Sequence, residues 1–317
     1  MFLSLAVPVF NEENSISKLE AEIVSELKKI NIINYEIIFV DDGSSDGTRN
    51  EIKKLVEKNP SVVGLVFERN FGKSLALNAA FKKAKGDILI TLDGDLQDDP
   101  SEIKNFLHNL KEFDFVNGWK KERLDPIGKR LPSKIFNYFA RKIFKVEMRD
   151  FNSGFKGYQK KVYKKIDLYG DMHRYIPVLV CELGFLAKEI PVNHRKRVFG
   201  ISKFGIERIL IGFLDFITIM FTSRFSLRPN HFLGTLATIL IFVGSMFLIY
   251  LFSLWFFDMG PIGNRPLLFF SILSIVVGFQ ILSLGIIAEM ILKFKITKNN
   301  YSNIEHKIIE NKKNENK

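Results

Sequence analysis

Along the first 120 residues, short apolar runs alternate with segments whose apolar positions recur every three or four residues. The runs at 3–9, 36–40, 62–67, 88–92 and 113–117 predict β-strands, and the segments 15–30, 48–58, 75–84 and 101–110 predict helices between them. Such interleaving predicts an α/β domain with a mostly parallel sheet covered on both faces. The first run is short, has no basic flank and ends in Asn11-Glu12-Glu13, so it reads as a strand and not as a cleaved leader. After residue 203 the pattern changes. Residues 204–225 set Ile, Leu and Phe around Glu207, Arg208, Asp215 and Arg224, which predicts an amphipathic helix lying along a membrane surface, with an ordinary core helix as the alternative. Residues 233–257 and 267–292 are apolar and each long enough to cross a hydrocarbon layer of about 30 Å. The short link between them makes a hairpin. The expected organisation is therefore a catalytic domain at 1–203, juxtamembrane helices at 204–230, a transmembrane hairpin at 231–292 and a basic tail at 293–317.

Charge adds a second division. Residues 1–119 hold 20 acidic and 14 basic side chains, whereas residues 120–165 hold 4 acidic and 15 basic ones. The first balance fits cation binding and the second an anionic partner. Arg224, Arg228, Lys293, Lys295 and Lys298 flank the two spans on one side, which puts the N-terminal domain and the tail in the cytoplasm, at the cell's inner membrane. A nucleic-acid partner, the simplest reading of a pI near 9.5, is set aside because the charge adjoins apolar spans and no reading motif is present. One cysteine, Cys181, excludes an internal disulfide framework and a cysteine-rich zinc site.

The predicted strand ends carry the candidate chemistry. The first runs into Asn11-Glu12-Glu13, the second into Asp41-Asp42-Gly43-Ser44, and the fourth into Asp93-Gly94-Asp95-Leu96-Gln97. In open α/β sheets, ligands bind at the carboxyl ends of strands. If these strands are neighbours, their carboxylates share one rim. Oxygen donors of this kind suit Mg²⁺ or Mn²⁺, which keeps open positions for a diphosphate. Each motif alone is equally a solvated turn, since Asp, Gly and Ser favour turns.

Taken in order, Val7-Pro8-Val9-Phe10-Asn11-Glu12-Glu13, Val40-Asp41-Asp42-Gly43-Ser44, Arg69-Asn70-Phe71-Gly72-Lys73 and Asp93-Gly94-Asp95-Leu96-Gln97 resemble family 2 glycosyltransferases of the GT-A fold, a Rossmann-like nucleotide-sugar-binding domain. Asp150-Phe151-Asn152-Ser153-Gly154-Phe155-Lys156, Met172-His173-Arg174-Tyr175-Ile176-Pro177 and the stretch from His194 to Lys203 resemble the dolichol-phosphate mannose synthase and polyprenyl-phosphate glycosyltransferase branch. The resemblance covers about residues 1–295. It implies an inverting transferase that moves one sugar from a nucleoside-diphosphate sugar, UDP-linked in preference to GDP-linked, to a polyprenyl phosphate such as undecaprenyl phosphate, for cell-envelope glycan modification.

The same resemblance assigns roles. Pro8, Phe10, Glu12, Val40 and Asp42 hold the base and ribose. Asp93, Asp95 and Gln97 hold the metal and the diphosphate. Asp95, Asp150 and Arg197 are the catalytic candidates. The lipid-phosphate contacts are read from charge instead: the basic segments nominate Arg123, Arg130, Lys134, Ser202 and Lys203 beside Arg197. Arg69 and Lys73 either add charge at the diphosphate or are solvated. His173 and His194 are expected in structural or phosphate-contact roles. Asp150 is either a general base, a group that orients cation or acceptor, or the opener of an Asx turn. Two departures matter. Gly94 stands where relatives often have Ala, and Trp119-Lys120-Lys121 stands where many have Arg, which leaves Arg123 as the nearby guanidinium. The Gln-x-x-Arg-Trp signature of processive synthases is absent, so single transfer is expected. Diacylglycerol or a lipid-linked oligosaccharide stays open as acceptor, as does a non-catalytic module that binds nucleotide sugar. Homo-oligomer formation through the membrane helices is likewise open.

Overall fold

The computed structural model describes residues 1–120, 146–170, 172–195 and 229–298. By internal contacts the chain divides into two units, Met1–Ser223 and Arg224–Lys317.

In the first unit, β1 (Leu3–Val9), β2 (Tyr35–Asp41), β3 (Val62–Val66), β4 (Ile88–Thr91), β5 (Phe115–Lys120), β6 (Lys156–Gln159) and β7 (Ala187–Val192) form one sheet in the order β3-β2-β1-β4-β6-β5-β7. β1 pairs in parallel with both β2 and β4, β2 with β3, and β5 with β7. The mostly parallel sheet is therefore observed, with two strands that the apolar pattern did not show, β6 and β7. β6 runs antiparallel between β4 and β5. Its four residues, Lys-Gly-Tyr-Gln, carry one large apolar side chain, too little to mark a buried strand. Gly157 is there for space: a Cβ at that position would press on Leu110 and Phe106 at 2.9 and 3.0 Å.

Helices α1 (Ile16–Lys29), α2 (Thr48–Lys58) and α4 (Ile103–Asn109) cover one face of the sheet. Ile16, Leu19, Ile23, Leu27, Ile52, Leu55, Ile103 and Phe106 pack there against Leu3, Leu5, Val7, Ile37 and Phe39. Helices α3 (Lys73–Lys83) and α6 (Ile176–Glu182) cover the other face, where Ala76, Phe81, Val178 and Val180 meet Ala6, Ile38, Val40 and Tyr158. A short α5 (Lys160–Tyr163) follows β6. Because β2, β1 and β4 are adjacent and parallel, their carboxyl ends open on one rim.

In the second unit, α7 (Pro229–Phe256) and α8 (Pro266–Lys298) pack on each other. Small residues let the backbones approach. A Cβ on Gly278 would meet Ile241 at 2.6 Å and the Ala237 carbonyl at 3.1 Å, and one on Gly244 would meet the Ser271 carbonyl at 2.7 Å. Asp258 and Gly260 turn the link with positive φ, and Arg265 donates to the Pro261 and Met259 carbonyls at 3.3 Å. The stretches Asn230–Phe256 and Pro266–Ile291 are long and apolar enough to cross a membrane, and only 11% and 17% of their most apolar windows is buried. Core helices of a soluble protein are mostly buried, so this pair reads as membrane-associated. The expected surface helix at 204–225 and the tail at 299–317 lie outside the described residues.

Candidate active site

The rim begins with two linked loops. After β1, Asn11 takes a positive φ of 57° and its Oδ1 accepts the Ser45 N–H at 2.8 Å. The Asn11 N–H donates to Ser44 Oγ at 2.9 Å, and that of Glu12 to Thr48 Oγ1 at 2.8 Å. After β2, Gly43 takes a positive φ of 71° with no room for a Cβ against the backbone of Arg69 and Asn70. That close approach lets Asp42 accept the Phe71 N–H at 2.8 Å and the Gly72 N–H at 3.0 Å. Burial raises the Asp42 carboxyl above its ordinary value, and these two N–H groups offset part of the rise. Glu12 Oε2 accepts the Ser15 hydroxyl at 2.8 Å. Val40 is fully buried in the core beside α3, so it shapes this end of the site from below. Pro8 lies next to it in register, and Phe10 is half-buried.

The centre of the rim is Asp93, at the end of β4. Its backbone N–H donates to Asp98 Oδ2 at 3.0 Å, and its carboxylate is bound by Lys73 Nζ at the start of α3. Gly154 packs directly on the same carboxylate. Burial opposes ionisation of Asp93, but Lys73, Lys120 and Lys156 outweigh it and hold the carboxyl well below the carboxylate range. Lys120, at the end of β5, stands 3.6 Å from Asp98 Oδ1. Burial lowers its pKa, yet Asp98, Asp93, Asp150 and Asp95 together raise it. Lys156 is almost wholly buried and donates to the Ser153 carbonyl. Burial and the neighbouring Lys73 bring its pKa down to about 7. His173 faces the same cluster. Its backbone N–H donates to Ser74 Oγ at 3.0 Å, and its ring Nδ1 pairs with that hydroxyl at 2.9 Å. Burial, with Lys73 and Arg174, keeps the ring well below its ordinary pKa and thus neutral.

Asp95 is half-exposed, with Oδ1 accepting the Gln97 N–H at 3.2 Å. The carbonyl of Gln97 accepts the Arg195 N–H at 2.9 Å. Arg195 itself is spent on structure, pairing with Glu22 at 2.6 Å and Asp99 at 2.7 Å. Asp150 is buried, and its Oδ1 accepts the Asn152 N–H at 3.2 Å, so the Asx contact is present. The charge of Asp150 acts on both Lys120 and Lys156, which puts it in the same cluster. His194 is buried, and its backbone pairs with that of Asp98 in an isolated antiparallel β-bridge.

The rim thus gathers Asp42, Asp93, Asp95 and Gln97 from the expected set, and resolves the pair Arg69 and Lys73. Lys73 binds Asp93, whereas Arg69 lies exposed over the Phe71 ring at 4.9 Å. Lys156, Asp98 and Ser74 were not singled out from sequence. Lys156 closes the Asp150–Lys156 motif, which is the one signal that pointed to it. Arg123, Arg130, Lys134, Arg197, Ser202 and Lys203 lie outside the described residues. Among the described residues no group of three or more His, Cys, Asp or Glu side chains could hold a metal ion by itself. The chain offers instead the Asp93 and Asp95 carboxylates on one rim, all-oxygen donors. That is the set expected for a hard cation bound through one or two carboxylates plus substrate phosphates.

A mostly parallel α/β sheet with carboxylates and lysines at its carboxyl rim fits a GT-A-like fold. Comparison with known proteins agrees. The model of glycosyl transferase family 2 matches residues 4–167, and the chain belongs to that family and is a glycosyltransferase. It is 35% identical over 295 residues to a dodecaprenyl-phosphate galacturonate synthase of Rhizobium johnstonii, covering 91% of this chain and 87% of that one. It is 34% identical over 293 residues to an undecaprenyl-phosphate 4-deoxy-4-formamido-L-arabinose transferase of Shewanella sediminis, covering 92% and 87%. Among solved structures, mannosyl-3-phosphoglycerate synthase from Rubrobacter xylanophilus superposes with a TM-score of 0.57 at 15% identity, over 72% of this chain and 76% of that one. Glucosyl-3-phosphoglycerate synthase from Mycobacterium tuberculosis, in complex with Mn²⁺, uridine diphosphate and phosphoglyceric acid, gives 0.52 at 16% identity, over 70% and 78%.

Proposed function

We propose that this glycosyltransferase moves one sugar from a nucleoside-diphosphate sugar to the phosphate of a polyprenol in the membrane. The observation that carries the reading is the Asp93 cluster. Lys73 binds the Asp93 carboxylate, and Lys120 stands against its anchor Asp98, at the rim where β1, β2 and β4 end and beside a second carboxylate, Asp95. Positive charge packed this way suits phosphate groups on both substrates. The relatives named above are polyprenyl-phosphate enzymes, and two membrane-crossing helices suit a lipid acceptor.

In this reading the loops after β1 and β2, with Pro8, Phe10, Glu12, Val40 and Asp42, form the nucleoside end. A UDP-sugar is favoured over a GDP-sugar because a fold neighbour holds uridine diphosphate. Asp93, Asp95 and Gln97 would hold Mg²⁺ or Mn²⁺, which would neutralise charge on the departing diphosphate. Lys73 and Lys120 keep Asp93 ionised and fixed. A phosphate acceptor near neutral pH is already largely anionic, with a second pKa of about 6. Its oxygen attacks without a base, so Asp150 orients Lys120 and Lys156 and takes no proton. Arg123, Arg130, Lys134, Arg197, Ser202 and Lys203 complete the reading as headgroup contacts. The domain at 1–203 and both termini face the cytoplasm.

The test is nucleotide release by purified protein in detergent with Mn²⁺, across a panel of nucleotide sugars, with and without undecaprenyl phosphate. Release from one donor that needs both lipid phosphate and metal, and is lost in Asp95→Ala, is expected. Turnover indifferent to the lipid phosphate would overturn the acceptor assignment.

A further inference from the structure

The turn that carries Asp95 and Gln97 is strained. Leu96, between them, takes a positive φ of 63°, although its side chain is bulky and only 2% of the residue is exposed. A residue of this size keeps such a backbone only where its surroundings over-determine it. The three residues that follow β7 do so here. The Arg195 N–H donates to the Gln97 carbonyl at 2.9 Å, and the Gln97 side-chain amide reaches the Arg195 carbonyl at 3.5 Å. The backbones of Asp98 and His194 pair between them. Asn193 Nδ2 donates to Asp99 Oδ2 at 3.0 Å, and the Asn193 N–H to Glu102 Oε1 at 3.1 Å. The Arg195 guanidinium closes this zipper. One terminal nitrogen donates to Glu22 Oε2 on α1 at 2.6 Å, and the other to Asp99 Oδ1 at 2.7 Å. Asp99 Oδ1 also accepts the Ser101 N–H at 3.0 Å, which fixes that carboxylate to the chain leading into α4.

We propose that Arg195 is a positioning residue for the turn Asp95–Gln97, and that it sets how tightly the turn's side-chain oxygens hold the divalent cation. The inference rests on the proposed metal role of Asp95 and Gln97. Arg195 acts through Asp99 and Gln97, not on the cation. One planar group bridges two carboxylates from separate elements, and their like charges repel once it is removed. The zipper then loses its closing contact, and the Leu96 turn is released toward an unstrained backbone. Asp95 and Gln97 move with it, whereas Asp93 keeps its own anchors, Asp98 and Lys73. Outer partners of metal ligands set affinity in this way, and losing one costs about 10–100-fold in metal binding.

The test uses the full-length protein in detergent. Uridine diphosphate affinity is titrated in EDTA and in Mn²⁺. Mn²⁺ affinity is read by electron paramagnetic resonance with uridine diphosphate present, and amide exchange is followed over residues 93–99. In wild type, Mn²⁺ should tighten uridine diphosphate binding. Arg195→Met should weaken Mn²⁺ binding by about tenfold or more and speed exchange at residues 95–99, with uridine diphosphate affinity in EDTA within about twofold of wild type. Arg195→Lys should fall between the two, because an ammonium lacks the fork that spans both carboxylates. Glu22→Gln loosens one side of the bridge. It should weaken Mn²⁺ binding by less than Arg195→Met does, and it carries the test if Arg195→Met does not fold. Wild-type Mn²⁺ affinity in the folded variant overturns the inference and leaves the donor reading intact. Equal loss of uridine diphosphate affinity in EDTA and in Mn²⁺ marks a general structural role and overturns it too. Wild type that binds uridine diphosphate equally in EDTA and in Mn²⁺ overturns the metal assignment, and the inference with it, before any variant is made.

Discussion

Gly154→Ala tests the centre of the site with one methyl group. Gly154 is not in a left-handed conformation, so Ala costs no backbone strain there. The cost is steric. A Cβ at 154 would overlap Oδ1, Cγ and Oδ2 of Asp93, and its nearest neighbours are all in that carboxylate. To restore ordinary contact the carboxylate or the loop must retreat by about 1 Å. Neither side moves freely. The Gly154 carbonyl accepts the Thr91 hydroxyl at 2.6 Å, and Asp93 is bound by Lys73 and anchored through Asp98. Overpacking of this kind costs about 1–3 kcal/mol of stability. A displacement of about 1 Å at reacting groups costs on the order of a hundredfold in rate. The expected result is a folded variant with a melting temperature a few degrees lower and kcat/KM for nucleotide release down by about two orders of magnitude. The assay is initial-rate release from the preferred donor, with thermal unfolding of the same preparation. A variant with wild-type kcat/KM would show that the Asp93 position does not matter to transfer.

Lys156 has a folded pKa of about 7 against an ordinary 10.5, so above about pH 7 the unfolded chain binds a proton that the folded one does not. Stability should therefore rise with pH across that window and stay flat below it for this group, and Lys156→Met should remove the slope in denaturant titrations. His173 is also depressed, from 6.5, so its contribution is present above about pH 6.5 and lost as pH falls below it. His173→Gln should flatten the acid side of the stability profile, and an unchanged profile would refute the buried neutral ring. In the hairpin, Gly278→Leu would drive a side chain into Ile241 and the Ala237 carbonyl, and should lower the unfolding midpoint of α7 and α8 in detergent, while Leu at the outward-facing Phe279 should not.

The half of the sheet from β3 to β4 was legible in sequence because its strands read as apolar runs, with β1, β2 and β4 largely buried. Thr48–Lys58 matched as a helix to the residue. β6 was not legible, since pairing on both sides makes it a strand without an apolar pattern. For the site, Asp42, Asp93 and Asp95 stood out as turn carboxylates at strand ends. Lys156 and Ser74 did not, because a buried lysine and a buried hydroxyl look like any others until their partners are known. Lys73 and Arg69, four residues apart, had equal claims in sequence; only the fold sends Lys73 inward, at the start of α3.

The antiparallel placement of β6 has an evolutionary consequence. β5 ends at Lys120 on the rim, and β6 starts at Lys156 on the same rim, opposite Thr91 and Asn117. The chain therefore leaves the sheet and re-enters it at one rim, and its return stretch packs Val146, Met148, Phe151 and Phe155 into the core. Closing a longer excursion there costs only about 0.6 kcal/mol per doubling of its length. Length changes between residues 120 and 146 can thus accumulate in such a scaffold with no change in the pairing of β1 to β4.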